Sequence, residues 1–446
     1  MLGQNLATPV PGSSPHTRRE PAQRRGTCPG LSTLMPTGDG LLVRLLPIGT
    51  MALDAFAALC DAAQAHGNGV IEITGRGSVQ VRGLTPDSGP RFAAAIGALE
   101  IATADGIPVL SNALARLDPE EILDAGALAR DLRVALAHGS LGAPVSPKIS
   151  VVIDGGGSLS LDEIAADVRL RAEMSDGRAV FRVSVAGDGT NSLEIGIIQP
   201  ACTVIAAVRL LEVIARRGIE GRARDVLATE GLGPFRAALA SAGGSLQLPL
   251  RKAERKKQSE AIGTHRLHNT ALAYGVGLAF SHADATSLKG LLEAARSAGA
   301  SGVCTAPGRT LMIIGLTSAS VAAFAASAEQ LGFIARADDP RRHVIACAGA
   351  PVCAAAHVAA RAMAPAIAAT AAPFLDRSFT IHVSGCAKGC AHAPAAALTV
   401  VGTPEGCALI ADGSTRDVPY TVVPAHELPA AVTRCARERA VESDHV

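Results

Sequence analysis

The chain has 446 residues, enough for two or more domains with sizeable hydrophobic cores. Its formal net charge of +1 at pH 7 gives no global attraction to nucleic acid or anionic membranes. It has no Trp and two Tyr, so the stacking platform of single-strand binders is missing. No apolar run reaches the roughly 18 residues of a membrane helix. These three features predict no nucleic-acid or membrane partner. Ten cysteines at this length form no dense disulfide framework, so we expect a cytoplasmic protein.

The chain begins with a polar segment, residues 1–27, which is rich in Pro and Ser and carries two arginine pairs. A twin-arginine export signal is the alternative, but no apolar segment follows, so we predict a disordered basic tail. The next segment predicts a strand (LLVRLLP), an amphipathic helix over 53–66 closed by Gly67 and Gly69, and a strand running to residue 84. These elements form a small strand–helix–strand module.

The same module recurs at residues 273–316, with a strand, a helix and a strand in the same order. Placing Gly83 on Gly315 brings Arg76 and Arg309 within one position of each other. Self-similarity between two separated blocks indicates a duplicated protein with pseudo-twofold symmetry.

A second pair of segments, residues 108–157 and 342–390, also match each other. The strand KISVVID lies over SFTIHVS, and Gly155 lies over Gly385. The first copy keeps the strands and glycines but has no cysteines.

The remaining segments connect and close these modules. We predict a strand over 180–185 and helices over 202–217, 223–242 and 425–440, and we interpret the charged run at 250–260 as an exposed linker, with a docking patch as the alternative. The predicted organisation is a tail (1–27), a first small module (28–90), a first larger module (105–245), a linker with the second small module (250–325) and a second larger module (338–446).

Four cysteines carry the clearest chemical signal in the chain. Cys347 and Cys353 are spaced C-x5-C, Cys386 and Cys390 are spaced C-x3-C, and each pair follows a predicted strand. Four thiolates on two glycine-bearing loops are the type of ligand set that holds an iron–sulfur cluster. Buried structural thiols are one alternative. Zinc is another, although its pairs are usually spaced by two to four residues.

This cysteine pattern and the order of the modules resemble the siroheme-dependent sulfite and nitrite reductases over nearly all of the chain after residue 28. The resemblance implies an α+β fold, a duplicated architecture with two small ferredoxin-like half-modules and two larger α/β modules about a pseudo-twofold axis. It also implies a 4Fe-4S cluster on the four cysteines, beside a cleft that holds a tetrapyrrole with eight carboxylates. Fixed arginines suit such a polyanion because their forked donors match carboxylates.

Several basic and polar residues match the motifs of this family. Arg76 matches the arginine of its Thr-Thr-Arg-Gln element, and Gln80 matches the second glutamine. Lys148 matches the first of two lysines that contact an inorganic anion, but Ser150 occupies the second position. A solvated surface charge is the alternative for each basic residue. The predicted substrate-binding residues are Arg44, Arg76, Gln80, Arg82, Asn112, Arg309 and Arg342.

The segments CPGL…PTGDGLLVRLLP, GNGVIEITGRGSVQVRGL, SNALARLDPEE and SGCAKGCAH are similar to one branch, the precorrin-3B synthase family of aerobic cobalamin biosynthesis. This resemblance implies a monooxygenase that hydroxylates precorrin-3A at C20 with O2, closes a γ-lactone and takes electrons from NADH. Lys388 stands between Cys386 and Cys390, where sulfite reductases usually have Asn. A cation beside the cluster favours its reduced form. The predicted catalytic residues are Lys148, Lys388 and His392.

The resemblance also implies a mononuclear non-haem iron, which usually takes two histidines and a carboxylate. Its candidate ligands are His392, His343, His357, His382, His265 and His268, each of which could equally be structural. No G-x-G-x-x-G follows a predicted strand, so a separate reductase or ferredoxin is expected to deliver the electrons. A siroheme-dependent sulfite or nitrite reductase and a non-enzymatic cluster protein are the alternative functions.

Overall fold

The structure, a computed structural model, describes residues 29–139, 141–142, 145–246, 259–375 and 379–443. Its strands form four sheets, one in each of the four predicted modules. The tail predicted over 1–27 and most of the linker predicted over 250–260 lie outside the described residues. Among the helices of the described ranges, none has both the length and the apolar character needed to cross a bilayer.

The first half-module contains β1 (Met35–Thr37), β2 (Gly40–Leu45), α1 (Leu53–His66), β3 (Val70–Ile73), β4 (Val79–Leu84) and α2 (Ser88–Gly97). Helix α1 has the predicted bounds. The single strand predicted up to residue 84 is wrong, because the chain turns over residues 74–78 and forms the antiparallel hairpin β3–β4. Gly77, at φ +80°, permits this turn, which carries Arg76 at its tip.

The first larger module, which has none of the cluster cysteines, contains β5 (Val109–Ser111), α3 (Ala125–Ala137), β6 (Val151–Asp154), β7 (Ala166–Ser175), β8 (Arg178–Gly187), β9 (Leu193–Ile198), α4 (Thr203–Ala215), α5 (Ala223–Glu230) and α6 (Gly233–Ser241). Its sheet has the order β5-β6-β7-β8-β9, parallel up to β7 and antiparallel beyond it. The single helix predicted over 223–242 is wrong, because Gly231 in a positive-φ conformation ends α5 before α6 begins.

The second half-module contains β10 (Gly263–Arg266), β11 (Leu272–Gly277), β12 (His282–Asp284), α7 (Ala285–Ser297), β13 (Gly302–Ala306), β14 (Thr310–Leu316) and α8 (Val321–Gln330). Strand β12 leaves its own module and pairs antiparallel with β3 of the first half-module. One hydrophobic core also joins the two halves, with Phe56 and Leu59 of α1 and Leu288 and Leu291 of α7 in the same cluster. The two half-modules therefore pack as one unit.

The cysteine module contains β15 (Val344–Ala346), α9 (Ala360–Ala371), β16 (Ile381–Ser384), β17 (Ala396–Thr403), β18 (Gly406–Gly413), β19 (Thr421–Val423) and α10 (Leu428–Ser443). Its strand order and strand directions repeat those of the first larger module. Gly385 follows β16 as Gly155 follows β6. Gly83 in β4 and Gly315 in β14 both have positive φ, +73° and +93°. The predicted duplication is thus confirmed in topology and at individual glycines.

Candidate active site

The four predicted cluster cysteines line one cavity. Cys347 follows β15 and Cys386 follows the adjacent parallel strand β16, so the ends of two paired strands bring the two cysteine loops together. The turn between β1 and β2 of the first half-module closes the cavity from the opposite side. The other lining residues include Pro36, Thr37, Gly38, Arg82 and Lys388.

The β1–β2 turn packs directly against the cysteine loops. Gly38 packs so tightly that a Cβ on it would lie 2.3 Å from Cys353 Sγ. The Gly385 backbone N–H donates to Cys347 Sγ at 3.1 Å, the type of bond that tunes cluster sulfurs. Burial raises the pKa of the Cys347 thiol, and this backbone N–H acts in the opposite direction.

The arrangement of the sulfurs distinguishes between the two metal-binding alternatives. Within the described ranges, no three His, Cys, Asp or Glu side chains converge as they would around a single ion. Tetrahedral zinc needs such convergence, with all four sulfurs about 2.3 Å from one ion. A 4Fe-4S cluster is a cage that binds each cysteine through a different iron, so its ligands surround a volume. The donor set therefore fits the cluster better than zinc.

A larger cleft adjoins this cavity, with a volume of ≈ 560 Å³. Arg76 reaches it from the β3–β4 turn, and Arg309 reaches it from the equivalent β13–β14 turn. Cys390 lines both the cysteine cavity and this cleft. The predicted residues that line the cleft are Arg44, Arg76, Gln80, Arg309, Arg342 and His392.

The arginines of the cleft differ in their surroundings. Desolvation lowers the pKa of Arg309 to about 10, against the opposing charge of Glu163, so the side chain stays cationic at neutral pH. Gln80, in the amide orientation that satisfies its partners, accepts hydrogen bonds from Arg44 at 2.6 and 2.8 Å and donates one to Glu72 at 3.0 Å. Arg342 donates to Glu260 at 3.0 Å. Arg44 and Arg342 are therefore each bonded to a polar side chain, whereas Arg309 is distinguished by its desolvation.

Four of the predicted residues lie away from the cleft. The Asn112 amide donates to Asp154 at 3.1 Å and to the Leu159 carbonyl at 2.6 Å inside the first larger module. Lys148 is exposed and does not line the cleft, and Lys388 is exposed at the cysteine cavity. Their substrate-binding and catalytic roles stay predictions.

Arg82, the fourth of these residues, belongs to a buried charge network beneath the cysteine cavity. Its guanidinium donates to Asp39 at 2.7 and 2.9 Å and lies 3.6 Å from Glu72. Glu72 also contacts Arg361 of α9 at 3.4 Å, so the network joins the first half-module to the cysteine module. Burial raises the pKa of Glu72, which the neighbouring arginines oppose. A carboxylate inside the apolar strand VIEI was a signal that could have revealed this network.

Two further cleft residues, Glu163 and Arg341, were also not predicted. Arg341 contacts Asp339 at 2.6 Å, so its charge is balanced locally. Its place in the doublet Arg341-Arg342, directly before β15, was the available signal, because a loop that enters a site-forming strand often lines the site.

His392 lies on the cleft with His382 beneath it. Their ring centroids are 5.6 Å apart in an edge-to-face arrangement. Burial lowers the pKa of His382 to about 3, and neither of its ring nitrogens has a hydrogen-bond partner in the described part of the chain. Within the same residues no carboxylate joins this pair in a metal-ligand group. The two-histidine, one-carboxylate set expected for a non-haem iron is therefore not assembled, and we derive no step through such an iron.

Comparison with known proteins places the chain among tetrapyrrole-related enzymes. Residues 34–99 match the model of the nitrite/sulfite reductase ferredoxin-like half domain. The chain is 37% identical over 418 residues to a precorrin-3B synthase from a Sinorhizobium species, covering 93% of this chain and 89% of that relative. The Mycobacterium tuberculosis NirA protein superposes with a TM-score of 0.72 at 17% identity, over 89% of this chain and 80% of that one. The likeness to the NirA protein concerns the fold alone.

Proposed function

Because the chain belongs to the precorrin-3B synthase family of cobalamin biosynthesis, we propose that it hydroxylates precorrin-3A at C20 and closes a γ-lactone with the ring A acetate. The reaction uses O2 as oxidant. One oxygen atom enters the substrate, the other leaves as water, and NADH supplies the two electrons that this balance requires.

The observation that carries this proposal is the position of Cys390, which lines both the cysteine cavity and the arginine-lined cleft. A tetrapyrrole in the cleft would lie against the loop that holds the cluster. Reducing equivalents would then pass from the cysteine module to O2 beside the bound substrate over a short distance.

The cleft residues bind and orient the substrate through its carboxylates. Arg44 and Arg309 stand on opposite half-modules, so two carboxylates held by them fix the plane of the macrocycle between the modules. Arg309 is the stronger anchor, because its desolvated guanidinium interacts with an anion in a medium of low dielectric constant. Restricting the substrate to one orientation selects C20 over the other meso carbons.

His392 stands at the end of the cleft nearest the cysteine loop. Its Nε2 lies 3.4 Å from the Ala395 carbonyl, so the tautomer with a proton on Nε2 leaves Nδ1 as the acceptor on the other edge of the ring. We assign this nitrogen the role of accepting the proton of the ring A carboxyl group as the carboxyl oxygen adds to an unsaturated carbon of the macrocycle. The proton then passes to a macrocycle nitrogen, and no water is released.

Cys347, Cys353, Cys386 and Cys390 would hold the 4Fe-4S cluster. When bound, the cluster accepts and passes on electrons one at a time. The exposed position of Cys390 and Lys388 lets a donor protein approach that edge of the module. We therefore assign NADH oxidation to a separate reductase or ferredoxin.

The test is an absorption spectrum and mass analysis of protein purified without oxygen, before and after addition of precorrin-3A, an electron donor and then air. A cluster band without siroheme and a substrate mass gain of one oxygen atom are the expected result. Tightly bound siroheme, with precorrin-3A unchanged, would contradict the proposal and indicate sulfite or nitrite reduction.

A further inference from the structure

A second cleft lies on the other side of Arg76, with a volume of ≈ 530 Å³. The end of β5, the segment after β2, helix α3 and the β13–β14 turn form its walls. Arg76 lines both clefts, while the cysteines of the cluster and Arg309 do not reach the second one. The two clefts are therefore separate spaces with one shared wall.

The second cleft corresponds to the first under the pseudo-twofold relation of the modules. The first cleft lies between the β3–β4 turn and the end of β15, and the second between the β13–β14 turn and the end of β5. Because β5 and β15 hold the same place in the two repeated sheets, the duplication produced both clefts. The hydroxylation proposed above takes place in the first cleft only.

Arginines give the second cleft its charge. Arg116, Arg130 and Arg133 line it together with Arg76, and none of its lining residues in the described ranges is acidic. Arg130 and Arg133 stand three residues apart on α3, so both point from one face of that helix. Arg116 and Arg130 make only exposed ion pairs, at 3.4 Å to Asp124 and 4.0 Å to Asp131, and exposed pairs of this kind are weak enough for a ligand anion to compete.

Arg133 is the most informative of these side chains. Its Nη2 donates to the Val109 carbonyl at 2.6 Å, which fixes the guanidinium against the end of β5. Its Nε is buried with no hydrogen-bond partner among the described residues. A buried donor without a partner is costly, and an anionic ligand that reaches it would remove that cost.

We propose that this second cleft binds a small organic anion with several carboxylate or phosphate groups, held by Arg116, Arg130 and Arg133. The apolar walls formed by Leu46, Ile48 and Leu110 would contact the carbon skeleton of the ligand. The site is independent of the tetrapyrrole cleft except for Arg76, so a ligand there can couple to the substrate through that shared side chain.

The experiment is isothermal titration of the full chain, purified with its cluster, with pyrophosphate and with citrate at low ionic strength. Arg133→Gln and Arg130→Gln should each weaken binding about tenfold, since each removes one charge-assisted contact. Arg130 is exposed, so Arg130→Gln keeps the test valid if loss of the Arg133–Val109 contact impairs folding. The tighter probe identifies phosphate or carboxylate as the preferred group.

Two control variants separate this site from other basic surfaces. Arg309→Gln in the first cleft and Arg178→Gln on the exposed end of β8 should leave the affinity for the probe unchanged. Absence of binding, or binding that Arg309→Gln abolishes and Arg130→Gln spares, would overturn the proposal. Equal weakening by Arg178→Gln would also overturn the proposal, because the loss of affinity would then come from the change in net charge alone.

Discussion

Arg76 Nη1 donates a hydrogen bond of 3.2 Å to Ser150 Oγ, and its Nη2 donates one of 2.8 Å to the Ala165 carbonyl. Ser150 is buried, and the resemblance to sulfite reductases places the second anion-binding lysine at this position. A lysine there would set a second cation directly against Arg76. Ser150 instead accepts a hydrogen bond from Arg76 and orients it, so this wall of the cleft presents one fixed guanidinium.

The first prediction concerns Arg76 itself. Arg76→Ala should weaken tetrapyrrole binding by about 10- to 100-fold, because it removes charge-assisted hydrogen bonds worth about 1.5–3 kcal/mol. Anaerobic titration with precorrin-3A, followed by absorption, measures the dissociation constant. The cluster absorbance should be unchanged, since Arg76 does not line the cysteine cavity. Unchanged affinity would remove Arg76 from the substrate site.

The sequence was sufficient to predict those features that depend on local pattern. Helix α1 and the cysteine spacing are examples, because a helix period and a strand-end loop are each encoded by a few neighbouring residues. Gly83 and Gly315 marked the duplication because each occupies a positive-φ position that favours glycine. The β3–β4 hairpin escaped prediction, since ITGRGSVQV keeps an alternating pattern through its turn.

The sequence did not reveal which arginines bind carboxylates of the protein and which reach the cleft. Arg82 and Arg76 stand in the same strand-rich segment and looked equally suited to bind carboxylates. Asp39, which lies 43 positions before Arg82, neutralises it inside the protein, while Arg76 reaches the cleft. Which cation meets a protein carboxylate and which meets a ligand depends on tertiary contacts that no local pattern carries.

The second prediction tests the cluster ligands. Cys386→Ser should abolish both iron binding and activity, because a serine hydroxyl replaces one of the four thiolates around the cavity. Iron analysis and the cluster absorption band measure the loss. Cys202→Ser is the matched control, a half-buried thiol in the first larger module and outside the cluster set, and it should retain both. Turnover by a cluster-free Cys386→Ser protein would remove the cluster from the mechanism.

A third prediction follows from the close approach of Gly38 to Cys353. Gly38→Ala should lower cluster occupancy while all four cysteines remain, because the new Cβ would stand 2.3 Å from Cys353 Sγ and displace that sulfur. Iron content per chain is the measurement. Gly97→Ala is the control, since a Cβ at Gly97 meets nothing within 4 Å. Full iron content in Gly38→Ala would show that the β1–β2 turn moves enough to accommodate both the added methyl group and the cluster.

The fourth prediction concerns Lys388, an exposed cation on the wall of the cysteine cavity. Lys388→Gln should lower the reduction potential of the cluster by about 20–40 mV, because an exposed charge contributes roughly 0.5–1 kcal/mol and 59 mV corresponds to a tenfold change for one electron. A spectroscopic redox titration measures it. Arg224→Gln, a distant and 77% exposed charge, should leave the potential unchanged. A potential that does not move in Lys388→Gln would assign this lysine to another role.

The last prediction concerns the buried pair Asp39–Arg82, whose side chains are 0% and 7% exposed. Burial opposes ionisation of Asp39, but the hydrogen bonds and charge of Arg82 outweigh it and hold the pKa of Asp39 below its ordinary 3.8. A carboxyl group with a lowered folded pKa stabilises the protein above pH 3.8, and this contribution is lost as the pH falls through the folded value.

Asp39→Asn should therefore destabilise the protein by about 3–5 kcal/mol at pH 7, because it leaves Arg82 buried without its anion. The difference from the wild type should shrink as the pH falls below 3.8, because Asp39 takes up a proton first in the unfolded wild-type chain and only at lower pH in the folded protein. Melting temperatures of both proteins from pH 7 to pH 3 give the comparison, with Asp338→Asn, 81% exposed, as the control. A pH-independent difference would mean that Asp39 acts through packing or hydrogen bonding, because only a charge contribution disappears on protonation.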